Sequence, residues 1–305
     1  MNLSTIVRLL LLGMIWGSSF IFQRITVPVL GVGITAAGRV LLGALVIQLL
    51  RRSLAQPLLW RARWKDYLIV GALTAGVPLL LFAVAARQLP AGYSAVLNST
   101  TPMFTVLLLW ATQQQRPSTS KLAGVLAGVL GVAVLARFGV VETNIDTMLA
   151  FGAALAASAL YAIGAVESRR RFASNEPMAI AAGTQTAAAL ILSPMLFTSV
   201  PTQWPTLIPI IALLVLGLLC TGVAYALYFR LLRDVGSERA TTVTFLVPVF
   251  AQLWGSLFLG ESLAWPSVLG LVLVLLAVAL VFERVPGLRP KAAIVLSNAV
   301  VTKQI

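Results

Sequence analysis

Long apolar stretches recur from one end of the chain to the other, separated by short polar breaks. Many reach the ~17–25 residues that a helix needs to cross a bilayer core. The pattern predicts ten helices, over 4–23, 32–50, 67–87, 92–112, 121–137, 147–168, 178–197, 207–231, 237–259 and 266–283. They leave no room for a soluble domain of useful size. Arg8 followed by Leu9 to Leu12 resembles the start of a signal peptide. No small-residue cleavage site follows, however, and the apolar stretch continues through Trp16 to Ile21, so it reads as a retained first helix.

Charge adds orientation. The 305 residues are 59% hydrophobic and only 10% charged, with a net charge of +13. Such a balance can signal nucleic-acid binding, but the basic residues cluster between apolar stretches rather than along one face of a module. No nucleic-acid partner is expected; the lipid bilayer is. Ten spans put both termini on one side. With that side taken as the cytoplasm, 18 of the 22 Lys and Arg residues fall there, leaving Arg24, Arg39, Arg87 and Arg137 on or toward the other. Basic residues accumulate on the cytoplasmic face of membrane proteins. The expected location is therefore the plasma (bacterial inner) membrane, with cytoplasmic termini.

The sequence also aligns with itself at an offset of 146 positions: Gly71 with Gly217, Gly76 with Gly222, Arg87 with Arg233, Pro102 with Pro248, Phe104 with Phe250, and Gly124 with Gly270. Leu-to-Leu matches carry little weight in an apolar chain, but Gly and Pro mark close helix approach and interrupted hydrogen bonding. A unit of five helices enters the membrane the opposite way in its second copy. The predicted fold is thus an all-α membrane protein of ten transmembrane helices, built as two inverted five-helix repeats. Its divisions are 1–140, 141–285 and a cytoplasmic tail at 286–305. Inverted repeats commonly hold a substrate near the midplane, between the halves, and work by alternating access.

Several motifs in order resemble the drug/metabolite transporter superfamily, in its EamA-type branch of ten-helix exporters. They are Trp16-Gly17-Ser18-Ser19-Phe20, Arg39 followed by Leu41-Leu42, and Pro-x-Phe with a later Gly in each half (Pro102, Phe104, Gly124; Pro248, Phe250, Gly270). Gly260-Glu261 after the ninth helix also matches, whereas the first half carries Gln114-Gln115 at that offset. The resemblance covers about residues 4 to 283. It implies metabolite export, with amino acids, aromatic and hydrophobic ones included, a leading substrate class.

Candidate substrate-binding residues follow from polar and aromatic positions at mid-membrane. Helix 4 holds Asn98, Ser99, Thr100 and Thr101 before Pro102; helix 9 offers Thr241, Thr242 and Thr244 before Pro248. Proline frees a carbonyl one turn earlier, so both prolines are expected to break their helices. Hydroxyls most often satisfy such backbone, whereas an amide at Asn98 is costlier in lipid and points to a cavity. Trp16 and Ser19 lie deep in helix 1, with Tyr161 near the equivalent place in helix 6 and Tyr225 level with them in helix 8. The expected substrate-binding set is Trp16, Ser19, Asn98, Thr101, Tyr161, Gln185, Tyr225 and Thr244. Arg39 pairs by offset with Gln185 but lies near enough to the outer interface to snorkel there, which favours a structural role.

Absences narrow the mechanism. There is no histidine, one cysteine (Cys220), and all nine acidic residues lie in loops or close to helix ends. Metal sites, histidine relays and a membrane carboxylate exchanger are disfavoured. No phosphate-binding loop appears, so ATP is not consumed by that route. No cofactor, metal or catalytic residue is expected, only a small-molecule substrate, with a monomer as the simplest assembly. Two alternatives stay open. One is a carrier for anions such as organic phosphates or sugar nucleotides, for which Arg39 alone supplies a cation. The other is a membrane-embedded enzyme, disfavoured because no nucleophile with a base, or acid pair, is visible at depth.

Overall fold

The computed structural model describes residues 3–113, 116–138, 141–142, 144–172, 175–197, 205–240 and 242–282. Among these residues every regular element is helical. The first, α1 (Leu3–Ser53), is 51 residues long. A straight helix of that length would run about 76 Å, more than twice a bilayer core of ~30 Å. It divides at Gly31 (φ 80°, ψ 165°), a conformation that only glycine reaches cheaply. Residues 24–31, expected as a loop, instead stay helical through Pro28 up to that hinge. A proline forfeits one backbone bond, and the rest of the turn keeps its own.

The third span runs through α2 (Trp60–Gly71), a π-helical segment (Ala72–Gly76) and α3 (Val77–Ala85). The fourth is two helices, α4 (Ala91–Asn98) and α5 (Thr101–Gln113), and α6 (Thr119–Phe138) is the fifth. In the second half come α7 (Ile145–Arg171) and α8 (Pro177–Leu192), the latter closed by a 3₁₀ turn, Ser193–Leu196. The eighth span joins α9 (Leu207–Leu214), a π-helical segment (Val215–Val223) and α10 (Ala224–Ala240). The last two are α11 (Val243–Leu259) and α12 (Trp265–Val281). The expected boundary at residue 237 moves: α10 carries the eighth span to Ala240, and the ninth starts at Val243.

Among the described residues seven helical stretches are long and apolar enough to cross a membrane, with α11 and α12 as shorter apolar helices. Because the first contains two spans either side of Gly31, the chain is a ten-span all-α membrane protein of two inverted repeats. The two π-helical segments give the repeat a structural mark. Shifted by 146 positions, Ala72–Gly76 falls inside Val215–Val223. Such segments are rare, and they often lie at functional sites.

Spans of one half rest on spans of the other. The second part of α1 packs against Val215–Val223, and α8 packs against α2 and Ala72–Gly76; α12 packs along α6. Small residues permit this approach in lipid, where dispersion and not water exclusion holds helices together. A methyl group at Gly71 would lie 2.5 Å from the Thr184 carbonyl oxygen, and one at its repeat partner Gly217 would lie 2.5 Å from Cβ of Leu42.

Candidate functional site

Between the halves lies a cavity of about 340 Å³, bordered by α1, α3, α4, α5, α7, α8, the second π-helical segment, α10 and α11. All eight residues singled out as substrate-binding line it: Trp16, Ser19, Asn98, Thr101, Tyr161, Gln185, Tyr225 and Thr244. Equivalent positions meet there. Arg39 and Gln185, Leu79 and Tyr225, Asn98 and Thr244, and Thr101 and Val247 are each 146 positions apart and each pair borders the same space.

One side is aromatic. The Trp16 ring lies 6.2 Å from that of Tyr225 and 5.2 Å from that of Tyr228. Phe82 contacts Phe20 edge-on at 5.9 Å and stacks on Tyr161 at 6.1 Å. These rings offer flat apolar surface with polar edges, suited to an apolar or aromatic group.

The polar side is centred on Arg39, and here the expectation of snorkelling fails. Arg39 is only 8% exposed and borders the cavity instead of the membrane interface. Its Nε–H donates to Thr221 Oγ1 at 3.0 Å. Gln23, with its amide turned to satisfy both neighbours, accepts from Arg39 Nη1 at 2.6 Å and donates to the Phe82 carbonyl at 3.2 Å. An arginine in lipid is costly, and a polar cavity wall with two acceptors offsets that cost more fully than a distant interface. Gln185, 2% exposed, has no hydrogen-bond partner at either amide atom.

Hydroxyls and amides divide as their chemistry suggests. Ser19 donates to the Trp16 carbonyl and Thr101 to the Asn98 carbonyl, both at 2.8 Å. Thr101 thereby occupies the carbonyl that Pro102, lacking an N–H, leaves without a helical partner. Ser158 of α7 reaches the neighbouring Leu97 carbonyl at 2.9 Å. Asn98, by contrast, bonds no protein group through its side chain among the described residues, and its amide remains for the cavity. The two prolines behave differently. Pro102 follows the break between α4 and α5, whereas Pro248 sits inside an unbroken α11. The expected second break is therefore not at Pro248; its helix starts five residues earlier. Thr241 and Gln114-Gln115 lie outside the described residues.

Among the described residues, no acidic side chain borders the cavity. Glu167 lies at the end of α7, where it accepts from Arg171 at 2.7 Å, and Arg171 also bonds Asp66 of α2 at 2.7 Å. Arg8 pairs with Asp234 at 2.6 Å on the same face. At the opposite face Glu261 binds the first amides of α4, from Ala91 at 2.8 Å and Gly92 at 3.5 Å, with Arg24 3.9 Å away. Sequence reasoning missed Gln23, Phe82, Thr221 and Cys220 as cavity residues and gave Arg39 the wrong surroundings. The repeat held a usable signal for Arg39, because its partner Gln185 was already assigned to the site.

Comparison with known proteins is consistent with this architecture. The model of the EamA-like transporter family matches residues 3–137 and again 148–283. The uncharacterized inner membrane transporter YedA of Escherichia coli is 30% identical over 88% of this chain and 87% of its own length. The uncharacterized transporter YoaV of Bacillus subtilis is 24% identical, covering 86% of this chain and 90% of that protein. A solved crystal structure superposes with a TM-score of 0.64 at 19% identity, over 92% of this chain and 96% of the other, a likeness of fold.

Proposed function

The chain belongs to the EamA-like transporter family, and on that premise we propose that it exports small neutral or zwitterionic metabolites, with amino acids foremost. Transport proceeds by alternating access without ATP, across a bacterial inner membrane, with both termini in the cytoplasm. The observation that carries the reading is the cavity between the halves, where Trp16, Asn98 and Tyr225 from distant parts of the chain meet. Aromatic faces suit an apolar side chain, and amide and hydroxyl groups suit the polar end of a zwitterion. A carrier is favoured over an enzyme because the family and the named relatives are transporters.

The orientation rests on the excess of Lys and Arg in the segments on the N-terminal side. Repeats over 1–140 and 141–285 are the corresponding division, with residues 286–305 outside the described part of the chain.

Counterflow in proteoliposomes tests this reading. Vesicles loaded with unlabelled phenylalanine or leucine should take up the labelled compound transiently, well above protein-free vesicles. Correctly folded protein that shows no counterflow with any amino acid would overturn the substrate class.

A further inference from the structure

We propose that the cavity recognises a carboxylate, and that Arg39 is the group that binds it. This rests on the reading that substrate occupies the cavity, and it goes further by fixing one charged group of the substrate and the residue that selects it.

Arg39 has five N–H donors and no acceptor capacity. The described residues use two donors, for Thr221 Oγ1 and for the Gln23 amide oxygen, both neutral. The other three have no protein acceptor among those residues. The described carboxylates are elsewhere: Glu261 on α4, Asp66 and Glu167 with Arg171, Asp234 with Arg8, and Glu142, Asp146 and Glu176 exposed at the surface. An arginine 8% exposed within a membrane protein, with no counter-charge, is an expensive arrangement. A visiting anion relieves it.

Gln185 supplies a second, independent observation. It sits 146 positions from Arg39, borders the same cavity, is 2% exposed, and leaves both amide atoms without a partner. A buried amide is nearly always hydrogen-bonded, so its orphaned atoms mark a place that a polar ligand completes. Each half thus presents one unfilled donor group to the same space, one charged and one neutral.

The charge count narrows the anion. One guanidinium matches a carboxylate, by the two-pronged geometry that arginine prefers. A phosphate dianion would keep an uncompensated charge, because Arg39 is the sole Lys or Arg on the cavity wall among the described residues. The aromatic side then takes the apolar portion of a monocarboxylate.

The test is calorimetric binding to the purified full-length protein in nanodiscs. The probes are L-phenylalanine, 3-phenylpropionate, L-phenylalaninamide and phenethylamine, with inorganic phosphate as a further arm. The two carboxylates should bind about 10- to 100-fold more tightly than the amide and the amine, the usual worth of a charged hydrogen bond. Arg39→Gln should erase that preference and leave the two non-carboxylates nearly unchanged. Arg39→Lys keeps the charge but loses the fork, and should fall between; if Arg39→Gln does not fold, this variant decides. Equal binding of L-phenylalanine and its amide, preference for phosphate, or unchanged selectivity in both variants would overturn the proposal. So would failure of either carboxylate to bind. The two readings separate cleanly. Amino-acid counterflow that is indifferent to the carboxylate and to Arg39 retains the function and sinks this inference. Arg39-dependent binding of 3-phenylpropionate without amino-acid counterflow does the reverse.

Discussion

Glu261 Oε1 accepts the backbone N–H of Ala91 at 2.8 Å, so a residue just past α11 caps a helix in the other repeat. The cap is needed because Pro90, which precedes α4, has no side-chain acceptor to offer. Three features make it possible. Gly260 ends α11 in the left-handed region at φ 66° and turns the chain back; Gly255 lacks the Cβ that would meet the Glu261 carboxylate; and Arg24 stands nearby. An anion at a helix N-terminus, partly buried, contributes about 1 kcal/mol. Glu261→Gln should therefore lower the thermal midpoint of the purified protein by about 2–4 °C, and Glu261→Ala by more. Fluorescence-monitored melting at one scan rate checks the order.

Trp16 forms the broad wall of the cavity, in contact with Tyr225 and Tyr228. Trp16→Ala removes apolar contact from large substrates while widening the space. Counterflow of phenylalanine should fall about 10-fold relative to that of alanine, the order expected for losing much of an aromatic contact. Equal losses for both amino acids would place Trp16 outside the specificity surface.

Much of the fold was legible because lipid imposes strong rules: apolar length, charge asymmetry, and Gly and Pro at a common offset. What escaped was local backbone. The helix continuing through Pro28 to Gly31 depends on the hinge geometry at Gly31, and the extension of α10 to Ala240 crosses polar residues that hydropathy assigns to a loop. Asn98, Trp16 and Tyr225 were visible as mid-depth polar or aromatic positions. Arg39 was misplaced because distance along a helix cannot tell which way a long side chain turns. Of the two acceptors that hold it, Gln23 sits across the Gly31 hinge in the first part of α1, and Thr221, 182 residues away, presents its hydroxyl from within a π-helical segment.

Energy coupling follows from the acids. Coupling to protons needs a group that changes charge within the path; the chain has no His, and among the described residues the cavity wall holds no Asp or Glu. Net flux should follow the substrate gradient, reverse with it, and ignore an imposed pH gradient. Glu167→Gln should leave transport within about 2-fold of the parent, since it removes only partly exposed ion pairs with Arg170 and Arg171 at the end of α7. Protonophore-sensitive accumulation that disappears in this variant would require a coupled mechanism.

Packing gives a sharper contrast at two glycines. A Cβ at Gly17 would lie 2.7 Å from Cβ of Phe250 and 2.9 Å from the Ala251 nitrogen, whereas one at Gly152 meets nothing within 4 Å. Gly17→Val should cost about 1–3 kcal/mol through overpacking and sharply reduce the yield of monodisperse protein. Gly152→Ala should be neutral or mildly stabilising. Size-exclusion profiles after membrane extraction compare them directly.

Orientation is open to labelling. In a Cys220→Ser background, Ala55→Cys lies beyond the second part of α1 and Leu263→Cys in the turn before α12, where Leu263 is 51% exposed. An impermeant thiol reagent applied to intact cells should modify the residue at 263 and spare the one at 55 until the membrane is opened. The opposite pattern would invert the topology.

The interleaving of the halves has a consequence for how such a chain can be divided. Gly131 of α6 and Gly270 of α12 approach so closely that a methyl on either would meet the other's carbonyl oxygen, at 3.1 or 3.2 Å. Similar dependence holds where the second part of α1 meets Val215–Val223. A gene cut near residue 140 would therefore yield two products whose small-residue faces have no natural cover. Each would need the other in the same membrane to assemble. The nearest imitation of the missing half is a second copy of the same fragment inserted upside down.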